Sequence, residues 1–155
     1  MKIGILAAME EEVTWLLKHL QINNEMNYGN QKFYDGIIAN QQVTLVQSGI
    51  GKVNAAIATT LLIEHFNCEL VLNTGSAGGI GEGLSIGELI VADNLAYQDV
   101  DNRVFNYDYG QIPQMPASYH VKDKWLNTLV QSAENIFDVK VGQIVTGDSF
   151  ISSKD

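Results

Sequence analysis

The chain is poor in several residue types, and each shortage excludes something. It holds a single cysteine, Cys68, so no intrachain disulfide is possible and nothing in it asks for an oxidising compartment. Arginine occurs once, at Arg103, among nine basic residues set against 18 acidic ones, and the net charge is −9. Such a surface repels phosphate backbones and anionic lipid, which speaks against nucleic acid and membrane as partners. The three histidines, His19, His65 and His120, have no ligand spacing, and Cys68 has no cysteine partner, so no metal and no cofactor is expected. Long apolar runs are missing too. The first, Ile3 to Ala8, is closed by Glu10, Glu11 and Glu12, far short of a signal h-region or a membrane span. A cytoplasmic chain is the expectation.

What is present fits a globular α/β protein. The 155 residues are 46% hydrophobic and 17% charged, enough for one domain with a sizeable core. Ile3 to Ala8 reads as a strand buried on both faces. Val13, Leu16, Leu17 and Leu20 recur at helical spacing. Asn23, Asn24, Gly29 and Asn30 mark turns. Lys32 to Ala39 and Gln42 to Gln47 read as strands of a hairpin turning at Asn40-Gln41. Val53 to Phe66 is a helix stopped by Asn67. Leu70 to Asn73, Gly87 to Ala92 and Lys140 to Thr146 are further strands, and Lys122 to Phe137 a further helix. Residues 98–118 show no period and hold both prolines. A loop of that length in a compact domain is usually functional or disordered, and its Phe105, Tyr107 and Tyr109 argue against disorder. Strands alternating with helices imply a mixed, mainly parallel central sheet flanked by helices.

Two clusters invite a chemical reading. The glutamate triplet has a structural role available, since carboxylates in a first helical turn complement the helix dipole. It has a functional one as well, a general base where the first strand meets the first helix. At about 100° per residue, Glu11 falls opposite the apolar stripe and should face water. Glu10 and Glu12 flank the stripe, and spacing does not choose between them. The glycine-rich run Thr74-Gly75-Ser76-Ala77-Gly78-Gly79-Ile80-Gly81 follows a strand, so its backbone could closely approach a ligand, or simply turn. Ser48-Gly49-Ile50-Gly51-Lys52-Val53 is not a Walker A loop, no Gly-x-Gly-x-x-Gly follows the first strand, and nothing resembles Gly-x-Ser-x-Gly.

Five segments together are more specific. Ala8-Met9-Glu10-Glu11-Glu12-Val13 after Lys2-Ile3-Gly4-Ile5, Ser48-Gly49-Ile50-Gly51-Lys52-Val53-Asn54-Ala55-Ala56, Asn73-Thr74-Gly75-Ser76-Ala77-Gly78, Tyr107-Asp108-Tyr109-Gly110-Gln111-Ile112-Pro113 and Thr146-Gly147-Asp148-Ser149-Phe150-Ile151 resemble, in order and spacing, the 5′-methylthioadenosine/S-adenosylhomocysteine nucleosidases of the nucleoside phosphorylase superfamily. The resemblance implies a three-layer sandwich and hydrolysis of the bond between adenine and a 5′-thio-substituted ribose, a step of methionine salvage and methyl-cycle detoxification. It implies that Glu12 activates the attacking water, Met9 lines the ribose, Ile50 lies near the 5′-thio group, and Ser76 sits beside ribose and water. Phe150 would stack on adenine and the Ile151 backbone would bond the purine edge. It also implies a homodimer in which the loop with Phe105, Tyr107 and Pro113 reaches into the partner's pocket.

The chain departs from the family pattern in two respects. Tyr97-Gln98-Asp99-Val100-Asp101 stands where the family has Tyr-His-Asp-Ala-Asp. The family also continues into a segment with a Met-Glu pair that grips the ribose and a Ser-Asp that protonates the purine, and these 155 residues do not include it. Residues 1–155 are therefore expected to form a single nucleosidase domain lacking the C-terminal part of the fold, with the general acid absent. Two rival readings follow: a purine nucleoside phosphorylase of the same superfamily, and a truncated, non-catalytic nucleoside-binding relative.

Overall fold

In the computed structural model, which describes residues 1–149 and 151, the chain forms two compact units, Met1–Ala77 and Gly78–Asp155. The first unit contains the strands β1 (Ile3–Ala7), β2 (Gln21–Tyr28), β3 (Gln31–Ile38), β4 (Gln41–Gln47) and β5 (Leu70–Asn73), with helices α1 (Glu10–His19) and α2 (Lys52–Glu64). Its sheet has the order β2-β3-β4-β1-β5. β1 runs parallel to both β4 and β5, while β2, β3 and β4 form an antiparallel meander.

Alternation along the central strands explains why helices cover both faces. Val43 and Leu45 of β4 join Ala7, Val13 and Leu20 in one core cluster, with Leu16 and Leu17 packed against it. That is the α1 face, and the stripe read from the sequence is the one buried. Val46 points the other way, joining Leu6, Phe33, Ala58, Leu62, Phe66 and Cys68 on the α2 face. Successive strand residues face opposite sides, so a strand apolar at every position can feed two cores. Gly4 lets α2 come close: a Cβ there would lie 3.0 Å from Leu62 Cδ1 and 3.3 Å from Cys68 Sγ.

The sequence reading misses β2. Asn23 and Asn24 look like turn residues, yet they lie within this edge strand, exposed along nearly its whole length. Its first five residues face water and carry no apolar alternation to detect; only Met26 and Tyr28, near its end, pack against the α2-side core. Asn23 marks the irregularity in its ladder to β3, between Ile22 and Asn24, and bulges concentrate at sheet edges. The hairpin between β3 and β4 turns at Ala39-Asn40, both with positive φ (48° and 64°), one residue earlier than expected and of the type that matches strand twist.

The second unit contains β6 (Leu89–Tyr97), a 3-10 turn at Arg103–Phe105, β7 (Tyr119–His120), α3 (Asp123–Ala133) and β8 (Val139–Thr146). Its sheet is ordered β7-β6-β8, with β6 parallel to β8 and antiparallel to β7. β6 extends five residues past its expected end at Ala92. A register shift between Ala92 and Asn94 absorbs Asp93, and the polar Asp93-Asn94 pair hides the continuation. α3 stops at Ala133, four residues short of Phe137, and the two-residue β7 was not foreseen. Both sheets are mixed, as expected, but among the described residues parallel and antiparallel pairs are equal in number, because the β2-β3-β4 meander and the β6–β7 pair add strands without crossover helices.

Leu62 is fully buried between α2 and the sheet. Leu62→Ala should cost about 2–5 kcal/mol, as for other buried leucines truncated to alanine, measured as a lower denaturant midpoint at unchanged slope.

Candidate active site

The parallel strands β4, β1 and β5 lie side by side, so their C-terminal ends deliver three loops to one edge of the first unit's sheet. This edge is where open α/β sheets bind ligands. Ser48 N donates to Ala7 O (2.9 Å), Gly49 N to Ala8 O (3.1 Å) and Thr74 N to Leu6 O (3.0 Å), tying the loops to the end of β1. Gln31, buried in β3, donates from Nε2 to Ser48 O (3.0 Å) and Asn54 O (2.8 Å), and Asn54 Nδ2 donates to Ile50 O (2.8 Å). The 48–54 loop is thereby fixed to the sheet and to the start of α2, with the Ile50 side chain exposed.

Glu12 occupies the third position of α1, where a carboxylate turns back to the N-cap backbone. Its Oε2 accepts Ala8 N (2.9 Å) and Met9 N (3.1 Å). Its Oε1 accepts both Ser76 N (2.8 Å) and Ser76 Oγ (3.1 Å). One carboxylate therefore joins the β1–α1 junction to the loop after β5. Gly75 makes room for it, since a Cβ there would stand 2.8 Å from Glu12 Oε1. Burial pushes the Glu12 carboxyl up, but the hydrogen bonds from Ser76, Met9 and Ala8 outweigh burial and hold it below the usual carboxylate range. Glu12 is thus a carboxylate throughout the neutral range. Glu10 and Glu11 are exposed. Spacing leaves Glu10 and Glu12 equal, and the fold brings only Glu12 to Ser76.

The remaining site residues are distributed as follows. Met9, the N-cap of α1, is half-buried, and Ser76 is exposed. Ile151 is exposed, and Phe150 lies outside the described residues. Phe105 closes the 3-10 turn and is 68% exposed; Tyr107 is half-buried and Pro113 exposed. The loop carrying them is irregular but internally bonded. Arg103 donates from Nε and Nη2 to the Asp101 carboxylate (2.9 and 2.7 Å) and lies over the Tyr109 ring. These hydrogen bonds hold the Asp101 carboxyl down at about 2. Sequence reasoning missed the donor role of the Ala8 and Met9 amides, because backbone groups leave no residue-type signal. It noted Gly75 only as part of a glycine-rich run and a family motif, and its closeness to Glu12 depends on a contact across 63 residues.

The sequence and the fold match known proteins closely. The family model described as the phosphorylase superfamily matches residues 2–155. Among curated relatives, the 5′-methylthioadenosine/S-adenosylhomocysteine nucleosidase of Staphylococcus epidermidis is 51% identical over 154 residues, 99% of this chain and 68% of that protein. That of an Exiguobacterium species is 47% identical, over 98% of this chain and 66% of its own length. Among solved structures, the Neisseria meningitidis nucleosidase in complex with methylthio-immucillin-A superposes with a TM-score of 0.94 at 36% identity, covering 98% of this chain and 67% of that one. The Streptococcus pneumoniae enzyme with a transition-state inhibitor gives 0.90 at 41% identity, over 97% and 66%. The fold is that of the phosphorylase superfamily. Within it, the chain belongs to the 5′-methylthioadenosine/S-adenosylhomocysteine nucleosidases, a family of N-glycosyl hydrolases, and spans about two-thirds of the length of these relatives.

The depressed Glu12 carboxyl has a consequence for stability. A carboxyl whose folded pKa lies below its unfolded one stabilises the fold above the unfolded value and loses that contribution as pH falls through the folded value. The advantage of the native chain over Glu12→Gln should therefore be full at pH 7 and shrink below the ordinary glutamate range. Urea unfolding of both proteins between pH 7 and pH 3 measures it, and a constant difference would contradict the assignment.

Proposed function

We propose that the protein hydrolyses the N-glycosidic bond of 5′-methylthioadenosine and S-adenosylhomocysteine, releasing adenine and the 5′-thioribose product. The observation that carries this reading is a single ionised carboxylate, Glu12, held against Ser76 at the strand ends of a chain half identical to nucleosidases.

The chemistry follows from the bond. As it breaks, the ribose gains oxocarbenium character and the adenine gains electrons. A fixed negative charge at Glu12 stabilises the cation, and its oxygens orient water toward the anomeric carbon. Of the four groups donating to Glu12, three are backbone amides and one is the Ser76 hydroxyl, which alone rotates. Water reaches Oε1 by replacing that hydroxyl, which is then placed to hold the same water. A carboxylate with a lowered pKa is a weak base, and a weak base suffices for attack on a carbon that is already cationic. Met9 lines the ribose and Ile50 the 5′-thio side. Phe150 stacks on adenine, and the Ile151 backbone meets the purine edge. No residue of these 155 is assigned to protonating the leaving adenine, and no metal or cofactor enters the scheme.

Phosphorolysis is the rival reaction. Phosphate sites favour arginine for its charge and fork geometry. The sole arginine here is engaged by Asp101, and the charge on Glu12 repels phosphate. Adenine release from methylthioadenosine should therefore not depend on added phosphate. Glu12→Gln should lower turnover about 10²-fold or more, the scale of general-base removal, and Glu11→Gln should change it little. Equal losses at both positions would overturn the assignment.

The same reading includes a homodimer formed around residues 98–116, with Phe105, Tyr107 and Pro113 covering the partner's 5′ group. Support comes from the exposed side chains of Val104 and Phe105 on an internally bonded loop. It also includes a cytoplasmic location, consistent with one buried thiol and with no helix, among the described residues, long and apolar enough to cross a membrane. Sedimentation should give a dimer at working concentration, and a monomer with full activity would refute the shared pocket.

A further inference from the structure

The second unit contains a junction that the chemistry above does not use. β6 and β8 run parallel to their last pair, Tyr97 with Thr146. Just beyond it, Gln98 N donates to Thr146 O (2.8 Å), and the Asp99 carboxylate accepts Asp148 N at 2.8 Å. Gly147 lies flat against the same two side chains. A Cβ there would stand 2.9 Å from Gln98 Cγ and Nε2 and 3.1 Å from Asp99 Cγ. The turn that leaves β8 is therefore held by Gln98 and Asp99, and a side chain at residue 147 would have to displace theirs.

The same few residues also hold the aromatic loop. Tyr109 Oη donates to Gln98 O (2.7 Å), and Gly110 N donates to Val100 O (2.8 Å). Gly110 is buried at φ +83°, where a Cβ would come within 2.5 Å of Tyr97 O. Residues 97–100 thus bind segment 146–148 on one side and loop residues 109–110 on the other.

We infer that Asp99 is a positioning residue for the purine: its grip on the Asp148 amide sets the path of the chain toward Ile151, whose backbone meets the purine edge. This rests on the reading that Phe150 and Ile151 hold adenine. Consecutive Cα atoms are about 3.8 Å apart along a backbone with two soft torsions per residue. Fixing the amide of residue 148 therefore narrows where the backbone of Ile151, three positions later, can lie. Hydrogen bonds to an ionised acceptor are the stronger kind, and this one crosses 49 residues of sequence, so no local turn preference replaces it.

The test is the affinity of the full chain for free adenine, measured by calorimetry for the native protein, Asp99→Ala, Asp99→Asn and Phe150→Ala. Asp99→Ala should weaken adenine binding about tenfold, the scale of one hydrogen bond to a charged group. Asp99→Asn keeps an acceptor oxygen in place and should return affinity to within about twofold of native. A general loss of stability would not follow that pattern of rescue. If Asp99→Ala does not fold, Asp99→Ser, whose hydroxyl is too short to reach the amide, takes its place. Native affinity in Asp99→Ala alongside a loss in Phe150→Ala overturns the role of Asp99 and leaves the adenine reading standing. An asparagine variant as weak as the alanine one overturns it too, since the acceptor would then not be what matters. Native affinity in Phe150→Ala, or no adenine binding by the native chain, removes the underlying reading and this inference with it.

Discussion

The first unit is organised around one carboxylate and the four hydrogen bonds it accepts. Glu12 lies where β1 becomes α1, and the groups that bind it come from that junction and from the loop after β5. For those donors to converge, β1 and β5 must run parallel and end level, α1 must begin within three residues of the strand, and residue 75 must have no side chain. Each requirement is met by a separate piece of sequence: the two short apolar strands, the acidic first turn and the Thr-Gly-Ser step. A carboxylate with all its acceptor capacity engaged is also oriented, because little rotation about its last torsion preserves the four contacts.

The structural and functional readings of the glutamate triplet therefore coincide. Glu12 caps its own helix, as an acidic residue in a first turn does, and the same bonds that cap the helix keep it ionised and aimed. Lowering its pKa reduces its strength as a base. For attack on a neutral carbonyl that would be costly, but against a ribose cation the negative charge itself does much of the work. The helix N-terminus supplies the positive environment, so catalytic charge and fold stability draw on one interaction.

The second unit solves a different problem, an aperiodic loop of some 20 residues that must hold its shape. It does so through side chains bonded to backbone: Tyr109 to Gln98 O, Asn102 to Gln111 O, Gln111 to Met115 O, with the Asp101–Arg103 pair inside the turn. Loops that lack a core of their own keep a single conformation when their backbone groups are paired in this way. The apolar Val104 and Phe105 stay exposed at the tip, a disposition suited to contact with something outside the loop.

What the sequence determined by itself was whatever rests on local pattern. The Val13–Leu20 stripe, the strand-like runs of β1, β4 and β5, the stop at Asn67 and the aromatic loop are all legible, because side-chain period and turn chemistry act over a few residues. The linear motifs made the family legible as well. Tertiary structure alone decided what depends on pairing at a distance. β2 is held by its backbone ladder to β3 and by Met26 and Tyr28 against the core, and its exposed, asparagine-rich first half carries no trace of that. β6 continues through Asp93-Asn94 because a one-residue irregularity at Asp93 keeps it paired with β8. Helical spacing left Glu10 and Glu12 equal. Only the arrival of Ser76, 64 residues further along the chain, separates them, and a residue's partners across such a distance are set by how the strands stack, which no local period encodes.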